Sequence, residues 1–545
     1  MRHDRPPARL EPNALGIYMI AFEATLALLV AAVVLTAFAR RIGVPYPSLL
    51  ALGGTALAFV PGAPTFTLDP SLTLALFVAP VLLDAAYDTS VRDLQRAWIP
   101  VTSLVLIAVG VTTTAVAAVA HAMVPGMPWA AAIALGAIVA PPDAAAATAV
   151  LKQLRLPHRL MVVLEGESLL NDASALLIYR IAVAAVVADG FSIGHVIPVF
   201  ALAVIGSVLA GFVLARAYAA MAGRVTDTSS SIILQFAATF GVWILAERLG
   251  LSPIVTVVVY GITTARRAPL QTPASVRIPS YAVWETAVFV LNVLAFVLIG
   301  LQLRPILGAL DSDQRIQYFV IALAVLATVV LVRFAWVMTY NTAARLKARW
   351  IGPGRWPGTT PPTVNSGLVV SWCGMRGVVT LAAAYALPVA ADGSAQFPHR
   401  DLILLCAFSV VVGTLVLQGL TLRPLIAWLG LKDDGEVEHE VHIAHKKLVR
   451  IGLAALDGNA SPEALALRDE FSSILDDAQN TGGVSGRHAA HNDLRVHLVA
   501  RQRQTLFEMR ASGEIGDDAF HEIEARLDWA ELNARGPSAT SSSSS

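Results

Sequence analysis

Charge is the scarcest ingredient of this 545-residue sequence: Asp, Glu, Lys and Arg together make up 14% of it, against about 25% in an average soluble domain. A soluble protein so short of charge would expose large apolar patches and aggregate. The bulk of the chain is therefore not a soluble enzyme or binding module. Neither sign of charge dominates. The 39 basic and 39 acidic residues cancel, which gives no reason to expect a nucleic-acid partner. Cysteine is almost absent. Cys373 and Cys406 sit in apolar runs with no metal-ligand neighbour at useful spacing, so they read as two buried thiols without a disulfide. No glycine-rich nucleotide motif or metal-ligand cluster stands out, and no cofactor is expected.

What the sequence has in plenty is apolar length, with 56% hydrophobic residues. A membrane span needs about 20 mostly apolar residues. Candidates fall near 15–38, 46–63, 70–87, 99–122, 128–151, 160–186, 193–217, 230–247, 251–265, 280–303, 316–341, 366–390 and 401–427, which makes thirteen. The weakest candidates are the short runs 46–63 and 251–265. The first run follows Arg2, Arg5 and Arg9, as a signal peptide would. A signal h-region is only about 7–15 residues long, so this longer run reads as a retained span.

Loop charge tests the count. Sixteen Lys and Arg fall in the odd-numbered loops, whereas the even-numbered loops hold only Arg248, Arg304, Arg315 and Arg400. Basic loops stay cytoplasmic. The odd loops and the C-terminus are thus expected inside, and the N-terminal segment 1–14 outside. The membrane domain is expected over 15–431. Residues 432–533 turn charged and helix-patterned, which predicts a cytoplasmic helical tail. The Ser-rich end, 534–545, reads as disordered.

A charge at the bilayer centre costs at least a few kcal/mol and tends to mark function. Asp143 lies two-thirds along span 5, in Ala140-Pro141-Pro142-Asp143-Ala144. Two prolines remove two backbone donors, so the helix breaks there. Freed carbonyls at membrane depth are tolerated only in protein or facing water, and beside a carboxylate they make a hard-oxygen site suited to a small cation. Span 6 holds Glu165, Glu167, Ser168, Asn171 and Asp172. Ser168 and Asp172 share one helix face, and Glu167 and Asn171 the neighbouring one. Arg376 lies in span 12 between Gly374 and Gly377, where a second break is expected. An arginine cannot shed its proton and needs a buried acid; Glu167 is the candidate. Asp84, near the end of span 3, and Glu165 are candidates for an access path. Spans 5 and 12 run in opposite senses and both are interrupted, the pattern of inverted-repeat transporters with an ion site where the broken helices cross.

The motifs Phe77-Val78-Ala79-Pro80 with Asp84, Pro141-Pro142-Asp143, Glu165-Gly166-Glu167-Ser168-Leu169-Leu170-Asn171-Asp172, Leu298-Ile299-Gly300-Leu301 and Gly374-Met375-Arg376-Gly377 occur in this order. Together they resemble the monovalent cation:proton antiporter-1 family, the bacterial Na+/H+ exchangers and their animal and plant kin, over about residues 15–430. The resemblance implies an all-α polytopic homodimer of about thirteen spans in the bacterial inner membrane, with a dimerisation domain and a mobile core. It implies that Asp172 and Asp143 bind Na+ (or K+ or Li+) in competition with H+, helped by Ser168 and the Pro142 carbonyl. It also implies a Glu167–Arg376 pair, and electroneutral exchange from the Asn171-Asp172 pair. One departure touches selectivity: many members carry Thr-Asp-Pro in span 5, where this chain has Pro142-Asp143-Ala144. A K+/H+ antiporter is the nearest alternative. A cation channel would make no use of paired broken helices. A lipid-modifying enzyme would need a polar substrate-positioning loop, and the long loops are few. The expectation is a secondary transporter for pH and cation homeostasis, not an enzyme.

Overall fold

The computed structural model describes residues 12–61, 69–143, 147, 151, 156–187, 193–225, 227–268, 272–310, 314–351, 362–388, 397–431, 433–458, 461–480, 486–512 and 517–535. Among them the regular structure is helical throughout. The membrane part runs α1 (Pro12–Ile42), α2 (Tyr46–Leu57), α3 (Pro70–Asp88), α4 (Val91–Arg96), α5 (Trp98–Met123), α6 (Trp129–Val139), α7 (His158–Val187), α8 (Ile193–Ala222), α9 (Thr228–Arg248), α10 (Pro253–Ala265), α11 (Ala274–Leu301), α12 (Leu303–Gly308), α13 (Arg315–Ile351), α14 (Val364–Trp372), α15 (Val378–Tyr385) and α16 (Arg400–Leu429). Nine of the described helices are long and apolar enough to cross a bilayer. The expected spans 2, 5, 9 and 12 are instead short or interrupted, being α2, α6, α10 and the α14–α15 pair. In spans 5 and 12 the interruption is the one that proline and glycine dictate.

Local chemistry sets the helix ends. Asp69 and Asp227 cap α3 and α9 by accepting from backbone amides one turn in, at 2.9 Å and 2.7 Å. Ser252 caps α10, whose first residue, Pro253, has no amide to leave unpaired. Gly430, at φ 63°, ends α16 in the left-handed conformation. Two helices carry a π-turn, Leu74–Val78 in α3 and Ser103–Ala108 in α5. Such turns loosen the i→i−4 ladder and recur at functional sites.

Close backbone approach holds the bundle together. A Cβ on Gly54 would lie 2.3 Å from the Val297 carbonyl oxygen, and one on Gly300 at 2.3 Å from that of Ala51. These two glycines let α2 and α11 cross in contact. Gly300 therefore serves packing, although its motif is one that carried the family resemblance. Gly136 brings α6 equally close to Thr113 of α5. Both cysteines are free and buried.

Residue contacts divide the chain after Asp434. The second unit holds α17 (Glu436–Ala455), α18 (Pro462–Asn480), α19 (Gly486–Ala511) and α20 (Asp517–Arg535). Within it α17 packs on α18 and α19 on α20. Arg503 bonds Asp528 at 2.6 Å and Glu531 at 2.8 Å. Of the expected segments 1–14 and 534–545, only 12–14 and 534–535 fall among the described residues.

Candidate functional site

The site is assembled where two helices fail. α6 stops at Val139, and Ala140 to Asp143 are non-helical. Pro141 and Pro142 have no amide hydrogen, and that of Asp143 donates across to the Met375 carbonyl at 2.7 Å. Met375 lies in the second break, Cys373 to Gly377, between α14 and α15. The two interrupted helices thus meet backbone to backbone, as the opposed-break reading expected.

Each break leaves carbonyls without intrahelical donors, and a helix C-terminus carries partial negative charge. An arginine answers each one. Arg376 donates from Nε to the Val139 carbonyl at 3.0 Å and from Nη2 to that of Ala140 at 3.1 Å. Its Nη1 bonds the Gly374 carbonyl, and its own amide donates to Thr414 Oγ1 at 3.0 Å. Arg333 of α13 donates to the carbonyls of Val370 at 2.9 Å and Cys373 at 3.2 Å, the end of α14.

The expected Glu167–Arg376 pair is therefore corrected. Glu167 is held by Arg333 in a two-pronged bridge, Nη1 to Oε1 at 2.5 Å and Nη2 to Oε2 at 2.9 Å. Both side chains are almost wholly buried, at 3% and 2% exposure. Arg376 instead donates to the broken end of α6 and to Gly374 in its own break. Gly374 makes the double arrangement possible, since a Cβ there would sit 2.5 Å from Arg333 Cδ.

α7 supplies the remaining groups. Asn171 is fully buried and donates from Nδ2 to the Pro142 carbonyl at 2.8 Å, so it pins α7 to the α6 break. Its Oδ1 finds no hydrogen-bond donor. The Pro142 carbonyl expected to face a cation is therefore already engaged through one lone pair. Asp172 is buried, and no hydrogen bond reaches its carboxylate from the described residues. Asp143 is near enough to act on it electrostatically. Ser174 takes the Val105 carbonyl in the π-turn of α5 at 2.7 Å, which locks α7 to that helix. Ser168 is half-buried, one turn before Asp172. A Cβ on Gly377 would fall on the Asp143 carboxylate, 1.5 Å from Oδ2. Glycine there is a steric requirement of the site.

This arrangement is an all-oxygen donor set with two carboxylates, and one buried amide oxygen beside it is unsatisfied. Among the described residues no three His, Cys, Asp or Glu converge as a metal cage would require. Oxygen donors of this kind suit a hard cation better than a metal that prefers nitrogen or sulfur ligands.

Asp84 lines a different cavity, of about 250 Å³, with Tyr87, Tyr260, Arg267 and Arg277, at the helix ends nearest the basic loops. Glu165 is not part of that lining, so the two candidate access residues do not share it. Arg333, a deep charge that the sequence marks as a pairing or snorkelling residue, does pair, but its partner Glu167 was not foreseen; the roles of Thr414 and of Tyr46, which lies within electrostatic reach of Asp143, were missed. The depth of Arg333 in its span was a signal. Nothing in the sequence marked Thr414 or Tyr46.

Comparison with known proteins shows the family. The profile of the transmembrane sodium/hydrogen exchanger family matches residues 28–428. A sodium, potassium, lithium and rubidium/H+ antiporter of Bacillus pumilus is 29% identical over 533 residues, covering 93% of this chain and 76% of the relative. An uncharacterized Na+/H+ exchanger of Mycobacterium tuberculosis is 30% identical over 534 residues, covering 94% of this chain and 96% of the relative. The sodium proton antiporter MjNhaP1 of Methanocaldococcus jannaschii shares the fold, with a TM-score of 0.57 at 18% identity over 76% of this chain and 99% of that one. This multi-pass membrane chain belongs to the sodium/hydrogen exchanger family of monovalent cation:proton antiporters.

Proposed function

We propose that the chain exchanges Na+, or K+ or Li+, for H+ at a single site formed by Asp172 and Asp143, with Ser168 and the Pro142 carbonyl as further oxygen ligands. The observation that carries this is Asp172 itself: a buried carboxylate with no hydrogen-bonded partner among the described residues, within electrostatic reach of a second carboxylate, Asp143. A buried carboxylate must take up either a proton or a cation. The two ligands therefore exclude each other, and exchange becomes obligatory if only a loaded site crosses between the two faces. Glu167, Arg333, Arg376 and Asn171 carry no cargo in this reading. They hold the two breaks in register.

The presence of Asn171 rather than a third acid beside Asp172 supports one-for-one, electroneutral exchange. The loop charge bias supports an inner-membrane protein with the tail inside. A homodimer in which a core containing α6, α7 and α14–α15 moves against a fixed domain fits the opposed breaks. The range of ions in the Bacillus pumilus relative's name favours a carrier of several alkali cations over a strict Na+ carrier.

The test is ΔpH dissipation in proteoliposomes with Na+, K+ and Li+ compared across pH. The expected result is cation-driven proton movement, lost in Asp172→Asn and insensitive to an imposed membrane potential. Exchange retained in a well-folded Asp172→Asn protein sinks the proposal, and a unitary current instead of exchange would make it a channel.

A further inference from the structure

Arg180 is a charged residue of α7 that the proposed ion site leaves unused. It lies eight residues beyond Asp172, about 12 Å along the helix at 1.5 Å per residue, towards the end away from the basic loops. Its side chain is exposed, and no described residue bonds or pairs with it. A guanidinium within a span is costly unless it reaches water or an acid. Here it lines a cleft of about 400 Å³, large enough for on the order of ten waters. One wall of the cleft is α7 from Ala173, next to Asp172, through Leu176 and Arg180. The opposite wall is the end of α9 and the start of α10, and it carries one acid, Glu247. Glu247 is likewise exposed and without a hydrogen bond or ion pair among the described residues.

The two walls belong to different packing groups. α7 packs mainly on α5 and α6, whereas α10 packs on α8, α3 and α9, and α7 touches α10 only along a thin seam. The cleft follows that seam. Opposite charges therefore stand on the two walls of a line of weak packing, and no described residue is joined to either.

We propose that Arg180 and Glu247 are the gate of the route between Asp172 and the face opposite the basic loops: they stand apart while the seam is open, and join as an ion pair when it closes. Closure expels the water from around both charges, and only their pairing compensates that desolvation. The apolar neighbours Leu176 and Ile254 then seal the route. The gate rests on the exchange reading above, and it assigns the pair to the motion, not to ion binding.

A charge-swap cycle in reconstituted full-length protein tests it. Arg180→Glu and Glu247→Arg each set like charges across the seam, and each should slow cation-driven proton exchange about tenfold or more. The double swap should recover to within about threefold of the parent, and Arg180→Lys should stay near parental. Single variants at the parental rate, or a double variant no faster than either single one, overturn the gate. Thermal unfolding at the parental temperature shows that the variants fold. A second readout needs no transport. In the Arg180→Cys/Glu247→Cys protein a short bifunctional thiol reagent should link the two positions within one chain, to an extent that changes between Na+ and acid. Cys373 and Cys406 are buried and give the background. No proton movement by the parent defeats the antiport reading, and with it the pair's place in exchange, while linkage that changes between Na+ and acid still shows a seam that opens and closes. Robust parental exchange with no linkage under any cation or pH defeats the gate alone.

Discussion

Removing Glu167's partner should damage the protein in a way that separates Arg333 from Arg376. The bridge is two-pronged at 2.5 and 2.9 Å, with both side chains out of solvent. Deleting one member of such a buried pair costs roughly 3–5 kcal/mol, because the survivor is left as an uncompensated charge. Arg333→Met also strands the Val370 and Cys373 carbonyls, and each orphaned group adds about 1–3 kcal/mol. Glu167→Gln leaves Arg333 charged but still bonded to those carbonyls. The expected order of destabilisation is thus Arg333→Met above Glu167→Gln. The double variant should fall short of the sum by up to about 3 kcal/mol, the upper range for contacting residues. Glu167→Gln combined with Arg376→Met should be more nearly additive, since Arg376 bonds the α6 carbonyls and not the carboxylate. Equilibrium unfolding of the purified protein in mixed micelles measures all five variants. Strong coupling of Glu167 to Arg376, with additivity towards Arg333, would refute the pairing described above.

Two further outcomes follow from the geometry. Gly377→Ala would push a methyl group into the Asp143 carboxylate; exchange in proteoliposomes should fall at least about tenfold while the unfolding temperature stays close to parental. A parental rate would mean that Asp143 is not held where the site needs it. Asp93, on α4 outside the spans, is pulled two ways. Burial pushes its carboxyl up, but hydrogen bonds from Ser90, Arg92 and His158 outweigh that and hold it below its usual value. A lowered carboxyl stabilises the fold at pH above its unfolded value, about 4, and loses that contribution as pH falls through the folded value. The gap in unfolding temperature between the parent and Asp93→Asn should close as pH falls below about 4. A gap that stays open in acid would contradict this assignment.

Much of the fold was legible because its signals are local. Pro141-Pro142 marks a break, and a cluster of acids in an apolar run marks a buried site. The partner of Glu167 was not legible, for a physical reason. Arg333 and Arg376 both sit deep in spans, and sequence does not give the azimuth at which one helix faces another. The groups that decide the matter are backbone carbonyls at broken helix ends, which sequence does not display. Once Arg376 is committed to Val139 and Ala140, Glu167 is left to Arg333. Gly300 lies in a motif that carried the family resemblance, and the sequence assigned it no role; the structure shows that it lets α2 and α11 touch.

The central claim is that one carboxylate is occupied in turn by a proton and an alkali cation. Titration calorimetry of Na+ into the purified protein, repeated in buffers of different ionisation enthalpy, counts the protons released per ion bound. The account predicts release that rises towards one proton per Na+ as pH falls and Asp172 begins protonated, and no Na+ heat in Asp172→Asn. Na+ binding with no proton release at any pH, or undiminished binding in Asp172→Asn, would contradict it.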